Sequence, residues 1–161
     1  MWFSRSSPLG SPAKALRASL QPVSKINLSQ DFEVSAERVY DALADQDGMS
    51  AWMGGKITVP VRSEGGLVGT VRRIHLGPAS FDERIVEAER PSLIAYTISS
   101  PVPLLARHRG EIRVLPLDAR RSRVTWQVEL VLKPAFVGAG VRPLLSRLLG
   151  AGLKRLAAKL S

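Results

Sequence analysis

The sequence predicts an α+β fold: a curved, seven-stranded antiparallel sheet with two short helices and a long C-terminal helix. Apolar and polar side chains alternate in residues 26–34, and again in several segments between Ile57 and Leu132, which indicates strands. From Val141 the apolar residues recur at three- and four-residue steps, which indicates a helix. Because only short connections join the later strands, we expect neighbours to pair antiparallel.

The first strand leads directly into the two short helices. In residues 26–34 one face is mostly apolar and the other is polar. Ser35 is a suitable N-cap, and Glu37 favours the positive end of the helix dipole. Asp47 and Gly48 end this helix. A second short helix then carries Met49, Trp52 and Met53.

Six further strands account for the middle of the chain. They are predicted to start near Ile57 and to cover 68–76, 81–88, 93–98, 110–115 and 123–132. Turn-forming residues separate them: Ser63 to Gly66, then Gly77 with Pro78, then Arg90 with Pro91. Residues 99–109 contain two prolines and are predicted to form a loop. Residues 118–122 form the last turn.

The last helix is predicted over 141–160, with an apolar stripe toward the sheet. The stripe consists of Val141, Leu144, Leu145, Leu148, Leu149, Leu156 and Leu160. Arg147 and Lys154 fall on the opposite side. Gly150 and Gly152 lie inside the helix, where glycine is less favourable than alanine by up to about 1 kcal/mol. Two explanations stay open for these glycines: close packing on the sheet, or space for a ligand.

Composition is that of an ordinary globular domain. The 161 residues are 45% apolar and 23% charged, and this length suits one domain with its own core. The absence of cysteine excludes disulfides, a thiol nucleophile and cysteine-based metal sites. It permits a reducing compartment, and we expect a cytoplasmic location. No apolar run is long enough to span a bilayer.

Two segments are predicted: a flexible N-terminal extension over 1–24 and a folded domain over 25–161. Residues 1–30 contain no acidic side chain, and serine, proline and glycine cluster near the start. An organellar transit peptide shares these properties. The favoured prediction is the flexible extension, with a short helix over 13–20.

The net charge of +9 comes entirely from the C-terminal part of the chain. Residues 1–100 contain eleven basic and eleven acidic side chains, whereas residues 101–161 contain twelve basic and three acidic ones. A basic region can attract anionic lipid, nucleic acid or an acidic ligand. Aromatic residues do not alternate with the basic ones, as they do in surfaces that bind single strands. We therefore expect a solvated basic face and no specific nucleic-acid partner.

A series of short motifs resembles a known superfamily. The motifs are Leu43-Ala44-Asp45 with Trp52, Gly69-Thr70-Val71-Arg72, Glu83-Arg84-Ile85, Pro91 with Tyr96, Arg109-Gly110-Glu111 and Ser122-Arg123-Val124-Thr125-Trp126. In this order they resemble the START-like, Bet v 1-like superfamily and its SRPBCC group of polyketide cyclase/dehydrase-type proteins, over about Ile26 to Leu160. That superfamily includes lipid carriers, aromatase/cyclases, stress proteins and co-chaperones, so the resemblance specifies no activity.

The resemblance implies a helix-grip fold with a mainly apolar cavity between the concave sheet and the last helix. The residues agree, because one helix of about twenty residues spans roughly 30 Å and cannot fill the hollow of a strongly curved sheet. A small hydrophobic ligand without a cofactor is expected. The expected lining residues are Tyr40, Trp52, Thr70, Arg72, Ile74, Phe81, Glu83, Ile85, Tyr96, Trp126, Leu145, Leu149 and Gly152. Ordinary core packing is the alternative for the aromatic ones.

Strand parity places Arg72 and Glu83 on matching faces of neighbouring strands. If the apolar residues that share those faces point inward, both charges enter the cavity. Burying one charge alone is costly, so the two are expected to pair. In a functional site Arg72 would anchor a carboxylate, phenolate or enolate oxygen, and Glu83 would hold it or transfer a proton. The alternatives are a structural salt bridge and an outward position in solvent.

The two histidines offer no comparable pattern. His75 and His108 lie on different segments without a nearby carboxylate pattern. We therefore predict neither a metal site nor a histidine base. His75 shares its parity with Arg73 and is expected to face solvent.

Three functions from different classes remain open. The favoured one is binding or carriage of a small lipid-, polyketide- or aromatic-type molecule. The second is a polyketide cyclase or aromatase, in which Arg72, Glu83 and Tyr40 polarise carbonyls and move protons. The third is a peripheral module that contacts anionic lipid or RNA through the basic side of the last helix. That side consists of Arg142, Arg147, Lys154, Arg155 and Lys159. The chain is expected to be a monomer or a weak homodimer.

Overall fold

The computed structural model describes residues 22–161, and it confirms the fold class predicted from the sequence. The predicted N-terminal extension, with its short helix and the transit-peptide alternative, lies outside these residues except for positions 22–24. Within the described part of the chain, no helix is long and apolar enough to cross a membrane.

Seven strands form one antiparallel sheet, and three helices lie on one side of it. The strands are β1 (Ser24–Phe32), β2 (Ile57–Val61), β3 (Val71–Leu76), β4 (Ala79–Glu89), β5 (Leu93–Ile98), β6 (Leu105–Pro116) and β7 (Ser122–Leu132). The helices are α1 (Ala36–Ala44), α2 (Met49–Met53) and α3 (Val137–Leu160). The strand order is β1-β7-β6-β5-β4-β3-β2. The first and last strands are therefore neighbours, and α3 follows the end of β7 that lies beside the start of β1.

Local capping explains where α1 and α2 begin and end. The Ser35 side chain accepts a hydrogen bond from the backbone N–H of Arg38 at the start of α1. Beyond its end, Asp45 Oδ1 accepts a hydrogen bond from the backbone N–H of Gly48 at 3.0 Å. α2 ends at Gly54, whose φ of 79° lies in the left-handed region that glycine adopts without strain. These caps set the short α1–α2 connection over the sheet.

Three elements begin three or more residues away from their predicted starts. β3 begins three residues later, because Gly69 has a φ of 93° and the Thr70 hydroxyl accepts a hydrogen bond from the backbone N–H of Ser63. β6 begins five residues earlier, because most of residues 105–109 pair with β7. α3 begins four residues earlier than its apolar stripe indicates.

α3 packs on the sheet along a narrower face than predicted. Leu153 and Leu156 are each 1% exposed, and Val141, Leu145, Leu149 and Leu160 are half-buried. The prediction is wrong for Leu144 and Leu148, which are 58% and 45% exposed. Successive residues of a helix are rotated by about 100°. Positions 145, 149, 152 and 156 therefore face the protein, while positions 144 and 148 turn toward solvent.

The C-terminal half of α3 is fastened to α2. Arg155 donates hydrogen bonds from Nε to the Trp52 carbonyl and from Nη2 to the Met53 carbonyl, both at 2.7 Å. These are carbonyls of the last turn of α2, which a helix leaves unpaired. Gly152 is buried, and a Cβ at this position would lie 2.9 Å from the Met53 sulfur. Close packing therefore accounts for Gly152, and the space beside it is already occupied.

Candidate functional site

The sheet brings polar and aromatic side chains together on the side that faces the helices. The register places Arg72 opposite Glu83 and Tyr96 opposite Gly110. We call the resulting group the central cluster. It consists of Arg72, Glu83, Tyr96, His108 and Trp126, which come from β3, β4, β5, β6 and β7. All five side chains are buried.

Arg72 and Glu83 form the ion pair that the strand parity predicts. Arg72 Nε donates a hydrogen bond to Glu83 Oε2 at 2.6 Å, and the two side chains are only 2% and 10% exposed. Arg72 Nη1 donates to Gln46 Oε1 and contacts the Met49 sulfur, both at 3.3 Å. Arg72 Nη2 is buried and has no hydrogen-bond partner. The guanidinium therefore retains an unused N–H donor inside the protein.

Tyr96 lies beneath this guanidinium and connects it to Trp126. The Arg72 Cζ atom is 4.4 Å from the centroid of the Tyr96 ring, a cation–π distance. Trp126 Nε1 donates a hydrogen bond to the Tyr96 hydroxyl at 2.9 Å. Burial raises the pKa of Tyr96 well above its usual range, so the phenol stays protonated at neutral pH. Gly110 is required beside it, because a Cβ there would overlap the Tyr96 ring.

His108 completes the cluster and is the residue that the sequence analysis missed. Its ring centroid is 5.5 Å from that of Tyr96, and its Nδ1 accepts a hydrogen bond from the backbone N–H of Ile98 at 3.3 Å. Burial lowers the pKa of His108, while the charge of Glu83 raises it and that of Arg72 lowers it by smaller amounts. The imidazole is therefore neutral at pH 7, with its proton on Nε2. No carboxylate pattern surrounds this histidine in the sequence, and it is the fold that brings Glu83 of β4 close enough to act on the His108 pKa.

A cavity of about 390 Å³ opens beside His108. It lies where β5 and β6 separate, beyond the pairing of Tyr96 with Gly110. Its walls are Thr97, Ile98, Ser100, Pro101, Val102, Leu105, Ala106, Arg107 and His108. The cavity thus reaches His108 of the central cluster between the end of β5 and the start of β6.

The helix-facing side of the sheet is least covered at this same end. Ile74, Phe81 and Ile98 are half-buried there, whereas the core around Ile85 and Ile112 is at most 2% exposed. The N-terminal half of α3 begins at this end of the strands, where buried Gly138 packs against Ser24 of β1 and Leu132 of β7. We call the region around Ile74, Phe81 and Ile98, where β3 and β5 end and β4 begins, the open end.

The remaining predicted lining residues fall into separate places. Leu145 and Leu149 are half-buried and pack against the core from the protein-facing side of α3. Trp52 packs edge-to-face with Trp126, with ring centroids 6.4 Å apart, and fills the hollow under the C-terminal half of α3. Its Nε1 is buried without a partner. The structure brings Trp52 to the central cluster and leaves no ligand space at its ring.

Three of the predicted residues lie away from the open end. Ile85 is fully buried core, and the Thr70 hydroxyl accepts a hydrogen bond in the β2–β3 connection. Tyr40 is buried on α1, where burial raises its pKa and Arg90 and Asp41 are the charges that act on it. The phenol that contacts Arg72 is that of Tyr96, whose ring centroid lies 4.4 Å from Arg72 Cζ. Within residues 22–161, no group of three or more His, Asp or Glu side chains is placed to hold a metal ion.

Solved structures share this fold at low sequence identity. A START superfamily protein from Mycobacterium smegmatis is 14% identical, with 84% of this chain and 96% of that chain covered and a TM-score of 0.71. The Zhui aromatase/cyclase from Streptomyces is 20% identical, with 86% and 94% covered and a TM-score of 0.70. Norcoclaurine synthase from Thalictrum flavum is 18% identical, with 96% and 95% covered and a TM-score of 0.71. These likenesses confirm the helix-grip fold.

At the sequence level, one comparison finds no match and another finds a protein family. No curated protein matches the chain. A family model described as polyketide cyclase / dehydrase and lipid transport matches residues 24–161. This range begins at the first residue of β1 and includes every helix and strand of the structure. The match covers most of the chain and agrees with the resemblance stated from the motifs. The chain therefore belongs to the polyketide cyclase / dehydrase and lipid transport family.

Proposed function

We propose that this chain binds a small, mainly apolar molecule at the open end of the sheet. The observation that carries the proposal is an incompletely covered apolar surface next to a buried ion pair: Ile74, Phe81 and Ile98 are half-buried beside Arg72 and Glu83. Small-molecule sites have this composition, mostly apolar walls with a few placed polar groups. The family description, which includes lipid transport, supports the same class of ligand.

The dimensions and the neighbouring fold support the proposal. The cavity of about 390 Å³ beside His108 shares only Ile98 with the open end, and its volume falls within the range of roughly 300–1,000 Å³ of small-molecule sites. Norcoclaurine synthase, which shares the fold, was solved in complex with dopamine and hydroxybenzaldehyde. We place the apolar body of the ligand between Phe81 and the half-buried face of α3, with its polar end toward the central cluster. Each 100 Å² of apolar surface buried there contributes about 2.5 kcal/mol.

Filling the open end from α3 tests this placement. Leu145→Trp puts a large ring into the space, because Leu145 faces the sheet, while Leu144→Trp adds the same ring on the solvent side. The neutral dye N-phenyl-1-naphthylamine, which fluoresces in apolar sites, reports binding. We expect Leu145→Trp to weaken dye binding about tenfold or more and Leu144→Trp to leave it unchanged. Native mass spectrometry of the purified protein then identifies any molecule that wild type retains and Leu145→Trp loses. Equal dye affinity for both variants would refute the site.

A second candidate function is cyclisation of a poly-β-keto chain, and the composition of the central cluster favours it. Arg72 offers an unused N–H to a carbonyl oxygen, and Glu83 and neutral His108 are acid–base groups beside it. Arg72 would polarise one carbonyl, and a base would remove a proton from a methylene between two others. The resulting carbanion forms a C–C bond to the polarised carbonyl carbon, whose oxygen takes up a proton. Tyr96 takes the place that the sequence analysis gave to Tyr40.

The cyclase candidate is tested separately from binding. A reconstituted polyketide synthase supplies the substrate, and the ratio of cyclised to spontaneous products is measured. We expect His108→Gln to reduce this ratio while retaining binding of the neutral dye. The control is His75→Gln, because His75 lies on the opposite face of β3 and bonds to Thr58. If wild type gives the same products as buffer, the chain binds without turnover.

A further inference from the structure

Side-chain hydrogen bonds join the end of β5 to β6 where the regular pairing of the two strands stops. The paired register ends at Tyr96 and Gly110. Beyond it, the backbone N–H of Ile98 donates a hydrogen bond to His108 Nδ1 at 3.3 Å, and the Thr97 hydroxyl donates one to the His108 carbonyl at 2.8 Å. We call this stretch, Thr97 and Ile98 against His108, the seam.

We infer that His108 is an acid-sensitive closure of the seam: when its imidazole takes up a proton, the end of β5 separates from β6 and the cavity between them widens. This role goes beyond the proposed function, because it concerns how the interior opens and not which molecule is bound there. It requires neither turnover nor a ligand, so the chain alone is sufficient to test it.

The bond between Ile98 and His108 exists only while the imidazole is neutral. Because Nδ1 accepts from the backbone N–H, the single proton of the neutral ring lies on Nε2. A second proton can bind only at Nδ1, where it points at the N–H of Ile98. Two donors then face each other, so a repulsive contact replaces the hydrogen bond. Protonation and closure of the seam therefore oppose each other.

The charged groups around His108 do not compensate a proton on it. Among residues 22–161, Glu83 of β4 is the acidic side chain that acts on its pKa, and this carboxylate is already bonded to Arg72 at 2.6 Å. Arg72 of β3 opposes a second positive charge, and Tyr96 of β5 stays a neutral phenol. On β7 the residue paired with His108 is Leu130, and α3 contains no acidic residue. Burial has the largest influence and lowers the pKa of His108, so the closed seam favours the neutral ring.

β5 and β6 are each held by their other neighbour, so the seam is where they separate. β5 stays bonded to β4 through the Ser99 N–H, which donates to the Asp82 carbonyl, and through the Asp82 N–H, which donates to the Ser100 hydroxyl, both at 2.8 Å. β6 stays paired with β7 on both sides of His108. The cavity of about 390 Å³ already lies between the two strands here, with exposed Arg107 in its wall.

Proton linkage sets the size of the effect. In the closed seam the pKa of His108 lies below its usual value of 6.5, and opening returns solvent to the ring. The closed state is therefore fully stabilised above pH 6.5 and loses stability relative to the open state as the pH falls below it. One proton changes an equilibrium by at most about tenfold per pH unit. Between pH 7 and 5.5 we expect the opening equilibrium to rise about three- to eightfold.

Hydrogen exchange of single amides, followed by NMR on the full chain, measures this opening. The reporter is the Ile98 amide, whose acceptor is His108 Nδ1. After correction for the intrinsic exchange rate, its protection should fall about three- to eightfold from pH 7 to 5.5. The neighbouring Ser99 amide, bonded to Asp82 of β4, should keep its protection. Low concentrations of urea should not increase the exchange of Ile98, because a local opening exposes little surface.

Two substitutions separate the proton of His108 from its hydrogen bond. His108→Asn places an amide oxygen where Nδ1 accepts from Ile98 and does not titrate, so the protection of Ile98 should be the same at pH 7 and 5.5. His108→Leu keeps apolar bulk without an acceptor, so this protection should be low at both pH values. The control is His75→Asn, because His75 bonds to Thr58 of β2 and should retain the wild-type response.

Three results would overturn this role of His108. The first is equal protection of Ile98 at pH 7 and 5.5 in wild type, a measurement that does not depend on any variant folding. The second is a fall of wild-type size in His108→Asn. The third is a fall that Ser99 shares and that urea increases, which is the behaviour of global unfolding. None of these results bears on the ligand at the open end, which Leu145→Trp tests.

Discussion

Removing Glu83 leaves the Arg72 charge buried without its partner, and the structure predicts a large loss of stability. The Arg72 side chain is 2% exposed, so solvent cannot replace the carboxylate. Breaking a buried pair from one side typically costs about 3–5 kcal/mol. We expect Glu83→Leu to lower the free energy of unfolding by about 4 kcal/mol. The double variant Arg72→Met/Glu83→Leu removes both charges and should lie within about 1 kcal/mol of wild type.

Urea unfolding followed by circular dichroism measures these free energies from the midpoint and slope. The control is Glu129→Leu, which breaks the exposed pair with Lys25 and should change stability by less than about 1 kcal/mol. The coupling between Arg72 and Glu83 follows from the double-mutant cycle. A cost below about 1 kcal/mol for Glu83→Leu, or a double variant whose cost equals the sum of the single ones, would contradict the buried, paired geometry.

Two further predictions concern Gly110 and His108. Gly110→Ala should destabilise the protein by about 2 kcal/mol, because its Cβ displaces the Tyr96 ring. Gly140→Ala lies in open space on α3 and should stabilise the protein by up to about 1 kcal/mol. Equal melting temperatures for the two variants would disprove the overlap at Gly110. The pKa of His108 is lowered in the folded state, so its contribution to stability is present above its unfolded pKa of 6.5 and is lost as pH falls below it. Between pH 7 and 5, His108→Gln should therefore lose less stability than wild type in urea unfolding, and an equal loss in both proteins would contradict the burial of His108.

Local pattern predicted most of the sheet because strand period and turn chemistry are local properties. The tight turn at Gly77 and Pro78 joins β3 to β4, so side-chain parity alone places Arg72 against Glu83. The face of α3 was less predictable. All of its leucines fit the spacing of a helical apolar stripe, so the spacing alone does not say which of them face the sheet. The rotation of the helix about its own axis depends on the packing of Gly152 against α2.

The rest of the candidate site depends on contacts between residues far apart in the chain. His108 was assigned to a loop because two prolines precede it, yet this segment continues β6 and pairs with β7. Its position beside Tyr96 follows from the separation of β5 and β6, which no short pattern encodes. The filling of part of the hollow by Trp52 likewise requires the bonds from Arg155 that hold α2 against α3.

The unequal attachment of α3 implies unequal local stability along one helix. Arg155 and the buried leucines hold its C-terminal half, while Leu144 and Leu148 leave the N-terminal half exposed. Pro143 lies in that weaker half and lacks the N–H for one helical hydrogen bond. Amide protons of residues 137–149 should therefore exchange with deuterium faster than those of 150–160. A ligand under Leu145 would slow deuterium exchange only in residues 137–149. Ligand binding would therefore be detected as a lower frequency of local unfolding in that half of the helix.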